Sequence, residues 1–202
     1  MKVTIHQPEH FPYEGFFQKM NEADLFVILD NVKFRKNYFQ NRNKLVNSQG
    51  KEEWFGVAVP KKSTSLEIKD VVAVDDLING WRKKVLRKLQ YNLKIDLSDV
   101  YNFEKLIDIN VASIKWCREK LKIETPMIFA SSLNVAGSKT DLLLDICKKT
   151  NAVTYISGPS GKEYLDIKMF KEHNIDVEFF KPQVKNYYSM LHNIQHYERK
   201  IK

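Results

Sequence analysis

Leu25-Phe26-Val27-Ile28-Leu29 is an unbroken apolar run closed by Asp30-Asn31, and it constrains the fold more than any other part of the chain. A strand with one wet face alternates apolar and polar residues. A strand buried on both faces is apolar throughout, the signature of a parallel sheet covered by helices. The pattern recurs: residues 3–7, 127–130, 153–156 and 177–180 are short apolar-rich runs that each lead into polar residues, and helical stripes separate the last three. Alternating strands and helices of this kind build α/β proteins. The expected fold is therefore α/β, a mostly parallel, Rossmann-like sheet with flanking helices.

Residues 31–75 break the pattern. They lack helical periodicity and contain β-rich pieces at 38–39, 54–59 and 66–74, divided by the turn signals Asn47-Ser48-Gln49-Gly50 and Pro60-Lys61-Lys62-Ser63. An antiparallel β insertion at about 31–75 is expected. Ile78, Trp81, Val85 and Leu89 recur at helical spacing, as do Phe103, Leu106, Ile107, Ile114, Cys117 and Leu121, and both stripes are expected to face the core. Ser138 and Asp141 are spaced as in a capping box, and Asn174 is placed to close a helix over 165–173. A length of 202 residues suits one α/β domain over 1–181, followed by a basic and aromatic tail over 182–202.

Several classes of function are disfavoured. No apolar run approaches the roughly 20 residues that span a bilayer, and no signal peptide is visible, so a cytoplasmic location is expected. Cys117 and Cys147 stand alone among apolar neighbours and are expected to be reduced core residues. His192 and His196, four apart, have no third ligand in their segment, and no metal is assigned. The loop Gly158-Pro159-Ser160-Gly161-Lys162-Glu163-Tyr164 is not a Walker A loop: Ile156 stands where its first glycine belongs and Glu163 where its Ser/Thr belongs. There is no Ser-His-Asp or Cys-His pattern, so direct transfer is preferred to a covalent enzyme intermediate.

If the apolar runs are parallel strands, their carboxyl ends bring together His6-Gln7, Asp30-Asn31, Ser131-Ser132, Ser157-Gly158 and Lys181. Ligands of open α/β sheets sit at such ends. His6 and His10 can accept a proton near neutral pH, with Asp30 the second choice. Gln7, Tyr13, Ser131, Ser157, Gly158, Ser160, Lys162 and Tyr164 are candidate substrate contacts, since a Gly-rich loop ahead of a helix offers backbone N–H groups to anions. Arg42, between Asn41 and Asn43, can fork onto a carboxylate or phosphate. Lys+Arg of 33 against Asp+Glu of 25 gives a net charge of +8, which favours an anionic partner. Much of it clusters at Arg82-Lys83-Lys84 and Arg87-Lys88, either an RNA-facing surface or an ordinary solvated one.

Ile5-His6-Gln7-Pro8, Gly15-Phe16-Phe17, Phe26 to Asp30, Asn41-Arg42-Asn43, Val59-Pro60, Trp81, Tyr91, Ser131-Ser132, Lys139-Thr140, Tyr155 to Gly158, Gly161 and Tyr164-Leu165-Asp166 occur in this order. In this ordered set, which spans about residues 3–181, the chain resembles the WbqC-like family of bacterial O-antigen and surface-polysaccharide gene clusters. It departs from the family pattern in ending on a basic tail. The resemblance implies transfer of an acyl or aminoacyl group, glycine in particular, onto the amine of a nucleotide-linked amino sugar. The donor would be an aminoacyl-tRNA, a thioester or an adenylate formed from ATP, and the sequence itself requires no cofactor. The loop after the first strand is also analogous to that of HIGH-type adenylyl-transfer enzymes, with Phe16 where a second histidine is expected. An ATP-dependent ligase or nucleotidyltransferase is therefore the alternative enzyme, and a non-catalytic sugar-nucleotide or RNA-binding partner is the third reading. No oligomeric state is specified by the sequence.

Overall fold

A computed structural model of the protein describes the backbone of residues 1–198 and the side chains of residues 1–194. In chain order the regular elements begin with β1 (Lys2–His6), α1 (Glu14–Asn21), β2 (Leu25–Ile28), β3 (Arg42–Val46) and β4 (Glu52–Gly56). The helices α2 (Asp76–Asn79), α3 (Trp81–Leu93) and α4 (Leu106–Leu121) follow. The chain then runs through β5 (Met127–Phe129), α5 (Thr140–Lys149), β6 (Thr154–Ser157), α6 (Ile167–Glu172), β7 (Asp176–Phe179) and α7 (Met190–Glu198). These elements fall into two compact units. One holds residues 1–7, 15–31 and 123–184; the other holds residues 8–14, 32–122 and the chain from Lys185 on.

The first unit is the parallel sheet. Its five strands run in the order β5-β2-β1-β6-β7, and every pair is parallel. β1 is central: the chain builds to one side of it with β2 and β5, then crosses to the other with β6 and β7. The unbroken apolar run explains its place, since Phe26, Val27 and Ile28 of β2 are all essentially inaccessible. Phe16 and Phe17 of α1 cover one part of the sheet, with the Phe16 ring 5.1 Å from that of Phe26. Thr4 of β1 donates its hydroxyl to the Ile156 carbonyl at 2.8 Å, satisfying a buried polar group across the central pair. Asn174 is left-handed (φ 57) just beyond α6, as its position after that helix requires.

The second unit contains the antiparallel insertion as the two-stranded sheet β3-β4, together with α2, α3, α4 and α7. The expected pieces at 38–39 and 66–74 are not strands. Tyr38-Phe39 lies in a turn, and 66–74 folds through a 3₁₀ turn at Ile68–Asp70 with single bridges from Lys33 to Glu67 and Val72 to Lys105. Ile68 and Val71 are fully buried there, so their apolar character anchors an irregular segment rather than a ladder. Ile78 is 75% exposed, because Gly80 (φ 59) ends α2 and breaks the helical stripe before Trp81. Phe103 is half-exposed and precedes α4. The Ser138 capping box does not form; Lys139 takes the N-cap position with no side-chain cap, and Asp141 N–H bonds to the Ser138 carbonyl. Cys117 and Cys147 are free, buried thiols. No helix among the described residues is long and apolar enough to cross a membrane.

Candidate functional site

In the parallel-sheet unit, the carboxyl ends of β1 and β6 flank the point where the strand order reverses, the place at which open α/β sheets bind ligands. β1 delivers His6 and Gln7 to this edge; β6 delivers Ser157 and Gly158. His6 is partly buried, its ring packed edge-on against Phe16 at 4.9 Å, and its Nδ1 lies 2.9 Å from the Gln7 carbonyl. A carbonyl can only accept, so Nδ1 carries the proton and Nε2 carries the lone pair. Desolvation first, and then the charge of the buried Lys19, lower the imidazole pKa to about 3 against the opposing Gln7 hydrogen bond, so the ring is neutral at physiological pH.

The neighbouring strand ends are organised by Asp30. Its two oxygens accept from Ser131, one from the backbone N–H at 2.9 Å and one from the hydroxyl at 2.6 Å. Asp30 thus fastens the turn after β5 to the end of β2. Asn31, the next residue, has a buried Oδ1 with no hydrogen-bond partner.

The Gly-rich loop after β6 folds as a 3₁₀ turn over Pro159–Glu163. Gly161 is required by contact: a Cβ there would come within 2.1 Å of Ser157 Oγ. Ser160, Lys162 and Tyr164 are exposed, and the Lys162 ammonium rests 5.3 Å from the centre of the Phe179 ring at the end of β7. The strand ends and the loop of this unit thus supply a buried, unpartnered amide oxygen, a neutral imidazole with a directed lone pair, a cation and a glycine-containing turn.

His10 belongs to the second unit, in a closed polar network. It has no exposed surface. Asn110 Nδ2 donates to the Gln40 carbonyl at 2.7 Å and to the Pro8 carbonyl at 3.3 Å, so Asn110 Oδ1 is the acceptor facing His10 Nδ1 at 3.3 Å. Nε2 then accepts from the Tyr101 hydroxyl at 2.8 Å. Burial lowers the His10 pKa to about 3 and raises that of Tyr101 well above the ordinary phenol range, so both are neutral. The adjoining Phe11 has a positive φ of 43, held by Ser113, which accepts from its N–H, and by Asn43, which donates to its carbonyl.

The Asn41-Arg42-Asn43 cluster opens β3 and divides its work. Asn41 Oδ1 accepts from the Asn37 N–H and its amide donates to Val57, while Asn43 donates to His10 and Phe11. Both asparagines are buried and committed to backbone partners. Arg42 between them lies with its guanidinium 4.3 Å from the Trp54 ring centre, on a groove of about 340 Å³ that sequence analysis did not find. Tyr13 packs on Tyr187 and pairs with Ser189; desolvation raises its phenol to about 12, with Glu9 and Tyr187 adding.

Of the expected site residues, then, His6, Gln7, Asp30, Ser131, Ser157, Gly158, Ser160, Lys162 and Tyr164 lie in the parallel-sheet unit. His10, Tyr13, Asn41, Arg42 and Asn43 lie in the other. Sequence analysis missed Lys19, Tyr101, Asn110 and Ser113. Asn110 and Ser113 did leave a signal, as polar residues on the buried face of α4. His192 sits edge-on to Tyr188, while the side chain of His196 lies outside the described residues. Among the described residues no group of three or more His, Cys, Asp or Glu is arranged to hold a metal.

The model of the WbqC-like protein family matches residues 7–197, reaching further into the tail than the motif residues do. The chain is 28% identical over 194 residues to "Uncharacterized protein Rv1507c" of Mycobacterium tuberculosis, a match covering 89% of this chain and 81% of that one. No solved structure matches the chain.

Proposed function

The chain belongs to the WbqC-like protein family, and from that premise we propose that it transfers an acyl or aminoacyl group onto the amine of a nucleotide-linked amino sugar. The observation that carries this reading is the reversal of strand order at β1 and β6, with His6-Gln7 on one side and the 158–163 loop on the other. A nucleotide diphosphate suits this loop, whose backbone amides and Lys162 offer donors and positive charge. The sugar then lies towards β1 and β2, where the buried Asn31 Oδ1 lacks a hydrogen-bond partner and can accept from a hydroxyl or amine N–H once the substrate displaces what covers it.

In the reaction the amine nitrogen attacks the carbonyl carbon of an activated ester or thioester. The new C–N bond replaces the bond to the leaving oxygen or sulfur. His6 Nε2 takes the amine proton and returns it to the leaving group. A ring with a pKa of about 3 is neutral and ready to accept, yet weakly basic. The diphosphate's negative charge raises that basicity when substrate binds. Asp30, with both oxygens on Ser131, acts as a positioning residue for the strand ends, and His10 positions the loop after β1 from within its own unit.

The test is to incubate the purified protein with dTDP- and UDP-linked amino sugars and amino acids. Parallel tubes contain ATP, tRNA with a synthetase, or an acyl thioester. A mass gain of one acyl or aminoacyl residue on the sugar nucleotide is expected. His6→Ala should lower kcat about 100-fold or more with little change in KM. Absence of product with every donor overturns the transfer reading, and AMP release in the tube with ATP alone replaces it with the ligase reading.

A further inference from the structure

We infer that the second unit carries a binding groove for a single-stranded nucleic acid, running along α3 from Trp54 to Lys94. This stands apart from the transfer reading, and either can fail alone. The groove begins at the 340 Å³ cavity between β4 and α3, lined by Arg42, Trp54, Trp81, Lys84 and Lys88 among others. It continues through a second cavity, which shares Lys88 and adds Arg87 and Tyr91, into a third that shares Arg87 and Tyr91 and adds Lys94. Shared lining residues make the three cavities one surface. From Lys84 to Lys94 the helix axis advances about 15 Å, longer than one mononucleotide.

Its chemistry is cationic and aromatic at once. Five of its lining side chains are Arg or Lys, against the carboxylates of Glu53 and Asp96. Trp54 is 42% exposed and Tyr91 67% exposed, so both rings are accessible to a ligand lying along the track. Arg42 stacks on the Trp54 ring and keeps its Nε buried without any hydrogen-bond partner. A buried, unpaired guanidinium N–H on a groove wall calls for a ligand oxygen, and phosphate supplies one. Lys94 likewise sits over the Tyr91 ring at 5.3 Å, so each exposed ring is paired with a cation. Rings for bases and cations for phosphates, repeated along a track, are how single strands are bound without base-specific hydrogen bonds.

Not every cation on α3 belongs to the groove. Arg82 donates to the Tyr101 and Phe103 carbonyls and so is spent on holding the segment before α4. Lys88 bonds the Trp54 carbonyl at 2.7 Å and pairs with Glu53 at 3.1 Å, fixing the first ring rather than waiting for a ligand. Lys84 donates to the Asn79 carbonyl at 2.7 Å and is committed in the same way. Arg42, Arg87 and Lys94 remain as the phosphate-facing set.

The test is fluorescence anisotropy of the full chain with fluorescein-labelled short single strands of RNA and of DNA. Binding of either strand is expected, weakening with added salt as several phosphates release counterions. Trp54→Ala and Tyr91→Ala should each weaken it about tenfold, and Arg87→Glu with Lys94→Glu more than tenfold. Tyr91 is exposed, so Tyr91→Ala decides the matter if Trp54→Ala fails to fold. The inference is overturned if neither strand binds, or if both aromatic variants bind as the parent does. It is also overturned if AMP or a duplex displaces the probe at the same concentration as the unlabelled strand.

Discussion

His6 and His10 are four residues apart and are kept neutral by different surroundings. Burial is the main cause for both; at His6 the charge of Lys19 adds to it and a carbonyl one residue on orients the ring, whereas His10 is oriented by Tyr101 and Asn110, 91 and 100 residues away. Sequence alone marked both rings as candidates because local polarity is visible in it. It could not separate their roles, because the partners that enclose His10 are brought in by tertiary folding. Each folded ring titrates near 3, against 6.5 when unfolded. Between those values the unfolded chain binds more protons, so this contribution to stability is fully present above pH 6.5 and is lost as pH falls towards 3. The slope is about 1.4 kcal/mol per pH unit for each ring. His10→Phe should remove one ring's share of that slope. It should also cost roughly 2–5 kcal/mol at neutral pH, because Tyr101 and Asn110 lose their partner. Urea unfolding at pH 7.5 and pH 5 measures both; an acid slope equal to that of the parent contradicts a buried neutral His10.

At the scale of elements, what was legible was what is set locally. The apolar run at 25–29 and the polar ends of β1, β5 and β6 follow from burial on both faces and from strand termination, so the parallel strands could be read directly. Residues 66–74 have the same β-rich composition, yet Ile68 and Val71 spend it on anchoring a 3₁₀ segment. Composition records that a residue is buried and not which hydrogen bonds accompany it. The loop after β6 was legible as a glycine-rich turn, but its tight seat on Ser157 was not. Gly161→Ala should destabilise the chain by about 1–3 kcal/mol through the clash with Ser157 Oγ. Adding Ser157→Ala should recover part of that loss. Denaturant midpoints of the two single variants and the double variant check this: strictly additive effects contradict the proposed contact.

For the molecule as a whole, the alternation of strands and helices announced the parallel sheet. The partition into two units was hidden, because residues 8–14, 32–122 and the chain from Lys185 on are separated in sequence and joined only by packing. Ser189 N–H on the Lys44 carbonyl and Met190 N–H on the Pro12 carbonyl tie the start of α7 into that second unit, and no local pattern in the tail encodes either bond. The net charge of +8 was visible at once, but its meaning depends on placement. Arg82 is internal bonding, whereas Arg42, Arg87 and Lys94 line an open groove. We propose that the carboxyl edge of the sheet at β1 and β6 receives a sugar nucleotide. Amide hydrogen exchange with and without a UDP- or dTDP-linked amino sugar tests it most directly. Slowed exchange is expected at residues 157–163 and around His6-Gln7, abolished at the same ligand concentration by Lys162→Glu. Unchanged exchange at both segments in the presence of every such sugar nucleotide would contradict it.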